Sequence, residues 1–263
     1  MALFIDGQIN TLLDLVRYEA GLLETASAEQ VDVTAKSALA QDITGAELLV
    51  FLLKNSWRDP ANYLLPTLSG AWRRAKGISD VVVTDPLKRW HALKTLELVY
   101  QDAYFNQLND RYQGKWKQYE QRAQIAADQL LQIGVGLVHD PLTRPLPPPL
   151  YAGAGQFQAT EYYVQITWIN LSAQESSASD VTALQTVDGT TLIVSPSGPP
   201  SNATGWNVYA GSTSDGVTLQ NDTPLAIGND WILGPTGVRV NRPVGSGQTP
   251  ERYIVNDRVI QRG

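Results

Sequence analysis

Apolar residues recur at helical spacing through the first half of this chain and at alternate positions through much of the second. Over residues 9–24, Ile9, Leu12, Leu13, Val16, Ala20 and Leu23 fall on one face, with Asp14, Arg17 and Glu24 elsewhere, which predicts an amphipathic helix. A second helix is expected over 27–41. Thr44-Gly45-Ala46-Glu47 has the form of a capping box and predicts a third helix over 45–54, apolar on most sides. Pro60, Pro66, Gly70 and Gly77 break the periodicity of 55–83, which reads as a packed loop. Its anchors are Trp57, Tyr63, Leu64, Leu65 and Trp72, with a helical turn near 69–76. Val81-Val82-Val83 fits a short strand or an extended entry to the helix that Thr84-Asp85-Pro86 starts.

From Pro86 the helical pattern runs to Ile133. One continuous helix of that length would measure about 70 Å. Asn, Asp and Gly lower helix propensity over 109–114, so two helices are expected, roughly 86–108 and 112–133, kinked or folded back. Tyr100, Tyr104, Phe105, Tyr112, Trp116 and Tyr119 recur along them at spacings that allow a seam within one subunit or an interface between subunits. Tyr104, Tyr112, Trp116 and Tyr119 are the interface candidates.

The run from Pro141 to Leu150 then divides the chain. Proline fixes φ and removes a backbone donor, so this stretch is neither helix nor central strand. It reads as an extended arm over 140–154, with ten residues reaching about 30 Å, long enough to carry a β module clear of the helices. Arg144, Pro147 and Pro148 are its candidate contacts. Beyond it, Tyr162, Val164, Ile166 and Trp168 share one face of a strand and Gln165 and Thr167 the other. Further strands are expected over 190–195, 205–210, 224–227 and 231–233, separated by turn residues, which argues for a small antiparallel sandwich. In the tail, 243–263, two short apolar runs flank Asn256-Asp257 as a possible hairpin, with Tyr253 a candidate for docking on a neighbour. The expected fold class is therefore α+β and multidomain: helical over 1–139, arm over 140–154, sandwich over 155–242, tail over 243–263.

Composition narrows the function more than it identifies one. The 263 residues are 43% hydrophobic and 17% charged, ordinary for folded protein. The net charge of −6 is shared: residues 1–139 carry 14 Lys/Arg and 16 Asp/Glu, and 140–263 carry 6 and 10. Neither half is a basic footprint for nucleic acid. With no cysteine, disulfides, thiolate nucleophiles and zinc–thiolate sites are excluded. The first residues lack the pattern of a signal peptide and no apolar run is long enough to span a bilayer, so a cytoplasmic protein without a membrane is expected.

Chemistry is sparse. His91 and His139 are the two histidines, and His91 has no second ligand at i+3 or i+4, as a structural or surface residue would. No nucleophile elbow, P-loop, dinucleotide fingerprint or EF-hand appears. Asn170, Asn202 and Asn221 head glycosylation sequons that read as chance matches. Trp72-Arg73-Arg74-Ala75-Lys76 offers positive charge to phosphate or an acidic partner, but reads first as a solvated face beside a core tryptophan. Trp206 and Trp231 offer rings for sugar stacking if exposed, though both fit a sandwich core. No catalytic, metal or cofactor site is expected, and the chain is expected not to be an enzyme.

Two resemblances complete this reading. The segment Pro199-Pro200-Ser201-Asn202-Ala203-Thr204-Gly205-Trp206-Asn207-Val208-Tyr209-Ala210-Gly211 resembles the central strand region of fibronectin type III and related immunoglobulin-like modules, over roughly 155–242. Such sandwiches host unrelated roles. The capped short helices around 44–54, the long helices of 86–133 and the extended arm together are similar in organisation to head–tail adaptor (connector) proteins of tailed bacteriophages. That resemblance implies a homo-oligomeric ring of twelve subunits in the virion neck, made in the bacterial cytoplasm. Its partners would be the portal protein and a tail, nozzle or tail-terminator protein, with DNA passing through without sequence-specific binding. The competing expectation is a tail or baseplate module, or a carbohydrate-binding one, that works through the sandwich.

Overall fold

A computed structural model describes residues 2–55, 77–107, 110–256 and 258–261. The expected packed loop with Trp57, Tyr63, Leu64, Leu65 and Trp72, and the basic cluster after it, lie outside the described residues. The protein is α+β, with five α-helices and several antiparallel sheets among the described residues. It divides into two units. A helical unit comprises residues 7–138 and 250–263, and a β unit comprises residues 1–6 and 139–249. Each unit therefore contains a segment from the far end of the chain.

In the helical unit, the expected helix over 9–24 is two: α1 (Leu12–Tyr18) and α2 (Leu22–Ala28). The box that starts α1 is Thr11–Asp14, where Thr11 Oγ1 accepts from the Asp14 N–H at 3.2 Å and the Thr11 N–H donates to Asp14 Oδ2 at 3.0 Å. Glu19 is extended at its end, and Gly21 precedes α2. The expected break at Thr44 does not occur. Helix α3 runs from Val33 to Asn55, because Asp32 Oδ1 caps its start and the fully buried Thr44 hydroxyl donates back to the Gln41 carbonyl at 3.1 Å. A hydroxyl spent within the helix caps nothing.

Val81, Val82 and Val83 are buried and extended, with Val81 bridged to Leu137. Helices α4 (Asp85–Gln107) and α5 (Gln113–Ile133) follow. They fold back on each other, since Tyr100 stacks on Tyr119 and Tyr104 on Trp116, later residues of one meeting earlier residues of the other. Gly134 ends α5 at φ 114°, a left-handed value, and a Cβ there would lie 2.8 Å from Val255 Cγ1 and 2.9 Å from Tyr253 Cβ. The chain turns at this glycine into β1 (Val135–Leu137).

Strand β1 pairs with β10 (Arg252–Val255), which pairs with β11 (Arg258–Gln261) as the expected hairpin. The hairpin thus docks within its own chain: Ile254 is 1% exposed and sits opposite Val135 in register. Burying side chains of this kind contributes roughly 1.5–3 kcal/mol each, enough to hold a hairpin that is marginal alone.

The β unit has two sheets. One has the order β2 (Leu150–Phe157), β5 (Thr190–Val194), β9 (Trp231–Ile232). The other has the order β4 (Thr182–Gln185), β3 (Glu161–Asn170), β6 (Ala203–Gly211), β7 (Thr218–Leu219), with β8 (Leu225–Ala226) also on β6. Tyr162, Val164, Ile166 and Trp168 of β3 meet Trp206, Val208 and Ala210 of β6 and Leu192 and Val194 of β5 in a single core. The period-two pattern of β3 therefore marks its buried face as expected.

The proline-rich segment is extended, as its dihedral constraint requires, but it belongs to the β unit and is no free spacer. Leu142 is fully buried in the sheet core, and its N–H donates to Gln248 Oε1 at 2.6 Å. Asn202 Nδ2 donates to Asp140 Oδ1 at 2.7 Å and to the Pro141 carbonyl at 3.0 Å. Pro145 and Pro148 are buried, and Leu150 already opens β2. Residues 1–6 complete this unit: Asp6 accepts from the N–H of Leu3 and of Arg144 and from the Ser177 hydroxyl, at 2.7–2.9 Å.

Candidate functional site

Side-chain chemistry concentrates in two places in the helical unit and one in the β unit. The first lies on α4 and α5. Tyr100, Tyr112 and Tyr119 are nearly fully buried, with Tyr100 and Tyr119 stacked at 5.4 Å between centroids and 10° between planes. Tyr119 donates to Glu19 Oε2 at 2.7 Å, and Lys115 reaches Glu19 Oε1 at 3.1 Å while lying 5.0 Å over the Tyr100 ring. Burial, the larger effect, and donation to the Glu19 carboxylate both push the Tyr119 hydroxyl upward. Burial would also raise Glu19, yet the bonds from Tyr119 and Lys115 outweigh it and hold that carboxyl below its ordinary value.

Of the four aromatic candidates, Tyr112 and Tyr119 are spent in this intrachain seam. Tyr104 and Trp116 are half-buried and form a second layer with Phe105, which is 54% exposed. Here the aromatic surface reaches solvent. The Trp116 indole nitrogen is buried and has no acceptor among the described residues.

The second place is His91, fully buried on α4. Asn10 Nδ2 lies 2.8 Å from His91 Nδ1 and donates to the Lys88 carbonyl at 2.9 Å, and His91 Nε2 lies 3.1 Å from the Ser37 carbonyl. A carbonyl only accepts, so the ring proton sits on Nε2, and Nδ1 accepts from Asn10. Burial is the dominant effect and lowers this imidazole to about 4. His91 is therefore a neutral pin joining the N-terminal segment, α3 and α4.

In the β unit, Glu175 gathers four donors. Its Oε1 accepts from Thr167 Oγ1 at 2.5 Å, Tyr209 Oη at 2.5 Å and Asn207 Nδ2 at 3.0 Å, and its Oε2 from Arg242 at 2.9 Å. Burial alone would raise this carboxyl, but the four donors overcome it and hold it below the ordinary glutamate range. The node ties the loop after β3 to β6 and to the segment after residue 239. Glu175→Gln should cost the β unit about 1–2 kcal/mol at pH 7, measured by urea unfolding, because the amide keeps one acceptor but loses the charge. That difference should shrink below pH 4.5, since a carboxyl with a lowered value loses its contribution as it is protonated.

The remaining candidates do not join the aromatic cluster. Arg144 is engaged inside the β unit, donating to the Ala178 carbonyl and to Asp180 at 2.6 Å each. Pro147 is exposed and Pro148 buried in the same unit. Tyr253 is half-buried on the C-terminal hairpin of the helical unit, opposite Gly136. Trp206 is fully buried, so its ring is closed to a sugar, and Trp231 is half-buried and packs against the sheet core. The three sequon asparagines all spend their side chains on internal bonds: Asn170 to Gln174, Asn202 to Asp140, Asn221 to Asn207.

A groove of about 470 Å³ in the helical unit is lined by Ala46, Glu47, Val50, Phe51, Lys54 and Trp90 among others. Among the described residues no three His, Asp or Glu side chains gather as metal ligands, and no helix is long and apolar enough to cross a membrane. No family model, curated protein or solved structure matches the chain. Its function is thus argued from its own surfaces.

Proposed function

We propose that this chain is a structural part of a larger assembly, with the helical unit as its packing module and the β unit, read as an immunoglobulin-like sandwich, as an outer module. The observation that carries this is apolar surface on helices: Leu49, Val50 and Leu53 of α3 are 42%, 50% and 60% exposed. Their spacing of one and four residues makes one stripe along the last turns of α3, and contiguous apolar surface on a helix is a packing surface. The exposed edge of the aromatic layer at Phe105 adds an anchor of the type enriched at interfaces.

The specific form we propose is the head–tail adaptor of a tailed bacteriophage. It is a ring of twelve copies between portal and tail, through which DNA passes without base-specific contact. The chain's net charge of −6, with no basic excess in either unit, suits a conduit that must not grip DNA. Mass measurement of the purified protein, alone and mixed with a portal ring, tests this. A closed ring near twelve copies is expected in the mixed sample, and Leu53→Glu should reduce its yield at least tenfold by placing a charge in the packing surface. No ring in the presence of the portal, or assembly indifferent to Leu53→Glu, would count against it.

A further inference from the structure

The strongest unassigned surface is the free edge of β2. Among the described residues this strand pairs only with β5, and it is the longest edge strand of the β unit: β2 has 8 residues, β4 has 4, and β7 and β9 have 2 each. Soluble proteins guard such edges with charge, proline or bulges. The stretch Leu150-Tyr151-Ala152-Gly153-Ala154 has neither charge nor proline, and Tyr151, Ala152 and Ala154 are exposed. A bulge follows it, since the register to β5 shifts between Ala154 and Phe157. Five regular residues are therefore available for pairing.

Backbone direction is fixed by bonds on either side of the stretch. The Ser195 N–H donates to the Pro149 carbonyl, and the Gly155 N–H to the Gly189 carbonyl, so odd-numbered residues of β2 turn their polar groups inward. The Leu233 N–H donates to the Leu192 carbonyl, which directs even residues of β5 toward β9 and agrees with that phase. Leu150, Ala152 and Ala154 hence direct their N–H and C=O groups away from β5, along the edge that no other described strand pairs with.

The outer face of this sheet carries an apolar row. Tyr151, Ile193 and Ile232 are cross-strand partners, and Tyr151 and Ile232 are 54% and 58% exposed. Beside Tyr151 the row has a gap at Gly153, where a Cβ would come within 2.7 Å of Ile193 Cδ1. A two-fold antiparallel pairing that uses all five regular residues is centred on Ala152. It sets Leu150 opposite Ala154 and Tyr151 opposite Gly153. Tyrosine then faces glycine in the close, non-hydrogen-bonded pairs, twice by symmetry, and each ring lies over a bare backbone beside the Ile193 that leans across it. With no charge on the stretch, two copies meet without repulsion.

We infer that the free protein forms a two-fold dimer by adding β2 of one copy to β2 of a second copy, joining two three-stranded sheets into one of six strands. Bonds from Leu150, Ala152 and Ala154 of each copy give about six new backbone hydrogen bonds. The contact is small, so the dimer is weak and concentration-dependent. A two-fold contact cannot recur between neighbours of a single ring, so this inference stands apart from the ring reading and its failure leaves that reading untouched.

Sedimentation velocity of the full chain from low micromolar to millimolar concentration should show a reversible monomer–dimer equilibrium. Ala154→Lys should weaken it by about tenfold or more while leaving the circular dichroism spectrum and melting temperature unchanged. The chain has no cysteine, so the register can be read directly. Ala152→Cys, self-paired across the axis, should oxidise to a covalent dimer, and Ala154→Cys, paired with Leu150, should do so at least tenfold more slowly. A monomer at every concentration, a dimer indifferent to Ala154→Lys, or equal cross-linking at 152 and 154 would each overturn the pairing.

Discussion

Between pH 6.5 and about 4 the helical unit should lose about 3 kcal/mol of stability through one buried imidazole. Folded His91 is held neutral because its ring is fully buried and both nitrogens are bonded in the neutral form. The unfolded chain takes up its proton near 6.5, the folded chain only near 4. In that window the unfolded state binds more protons, so stability is complete above 6.5 and falls by about 1.4 kcal/mol per pH unit below it. Urea unfolding at half-unit pH steps, followed by far-ultraviolet circular dichroism, measures the slope. His91→Gln keeps a donor and an acceptor but does not titrate, so its slope through this window should be nearly flat. A wild-type slope no steeper than that of His91→Gln would show that His91 is charged or exposed in solution. The carboxyls Glu19 and Glu175, both held low, add their own losses only below 4.5, which separates the two effects.

Leu142→Ala should destabilise the β unit by about 3 kcal/mol. A leucine in a free spacer would lose almost nothing, and Leu146→Ala, 61% exposed four residues on, should stay within about 0.5 kcal/mol. Leu142 differs because it fills the sheet core among Val164, Trp168 and Trp206, and its backbone is clamped by Gln248. Removing its side chain leaves a void that close packing cannot refill. Comparing the two variants by denaturant midpoint separates a structural proline segment from a linker, and equal values for the two would restore the linker.

The elements most legible in the chain are those whose signal is local and strong. Thr84-Asp85-Pro86 starts α4, and the aromatic spacing of α4 and α5 describes a seam that forms within the chain. The alternation of Tyr162, Val164, Ile166 and Trp168 marks the core face of β3. Strand β2 was hidden because Ala152-Gly153-Ala154-Gly155 has no β-branched side chain and adjoins a proline run that points to coil. The capping pattern at Thr44 misleads because the same hydroxyl can bond back within a helix, and burial decides which happens. The true box at Thr11 ends in aspartate, a shorter acid than the usual motif carries.

Other features are set by contacts between residues far apart, and no local pattern encodes those. Glu175 meets Tyr209 and Arg242, and His91 meets Asn10 and Ser37, at separations of 34 to 81 residues. The exchange of terminal segments between units is of this kind. Nothing in Leu3 or Ile254 themselves assigns the first to the β unit and the second to the helical one. The division at the proline run is real in composition, but in the folded chain the boundary falls before it, between residues 138 and 139.

That interleaved partition is the central claim, and peptide-resolved hydrogen exchange on Leu142→Ala tests it most directly. Amides of residues 2–6 and 139–249 should lose protection together, while those of 135–137 and 252–255 keep wild-type protection, because β10 belongs to the helical unit. Loss of protection over 252–255 in step with 139–249, or retention over 139–150, would contradict it.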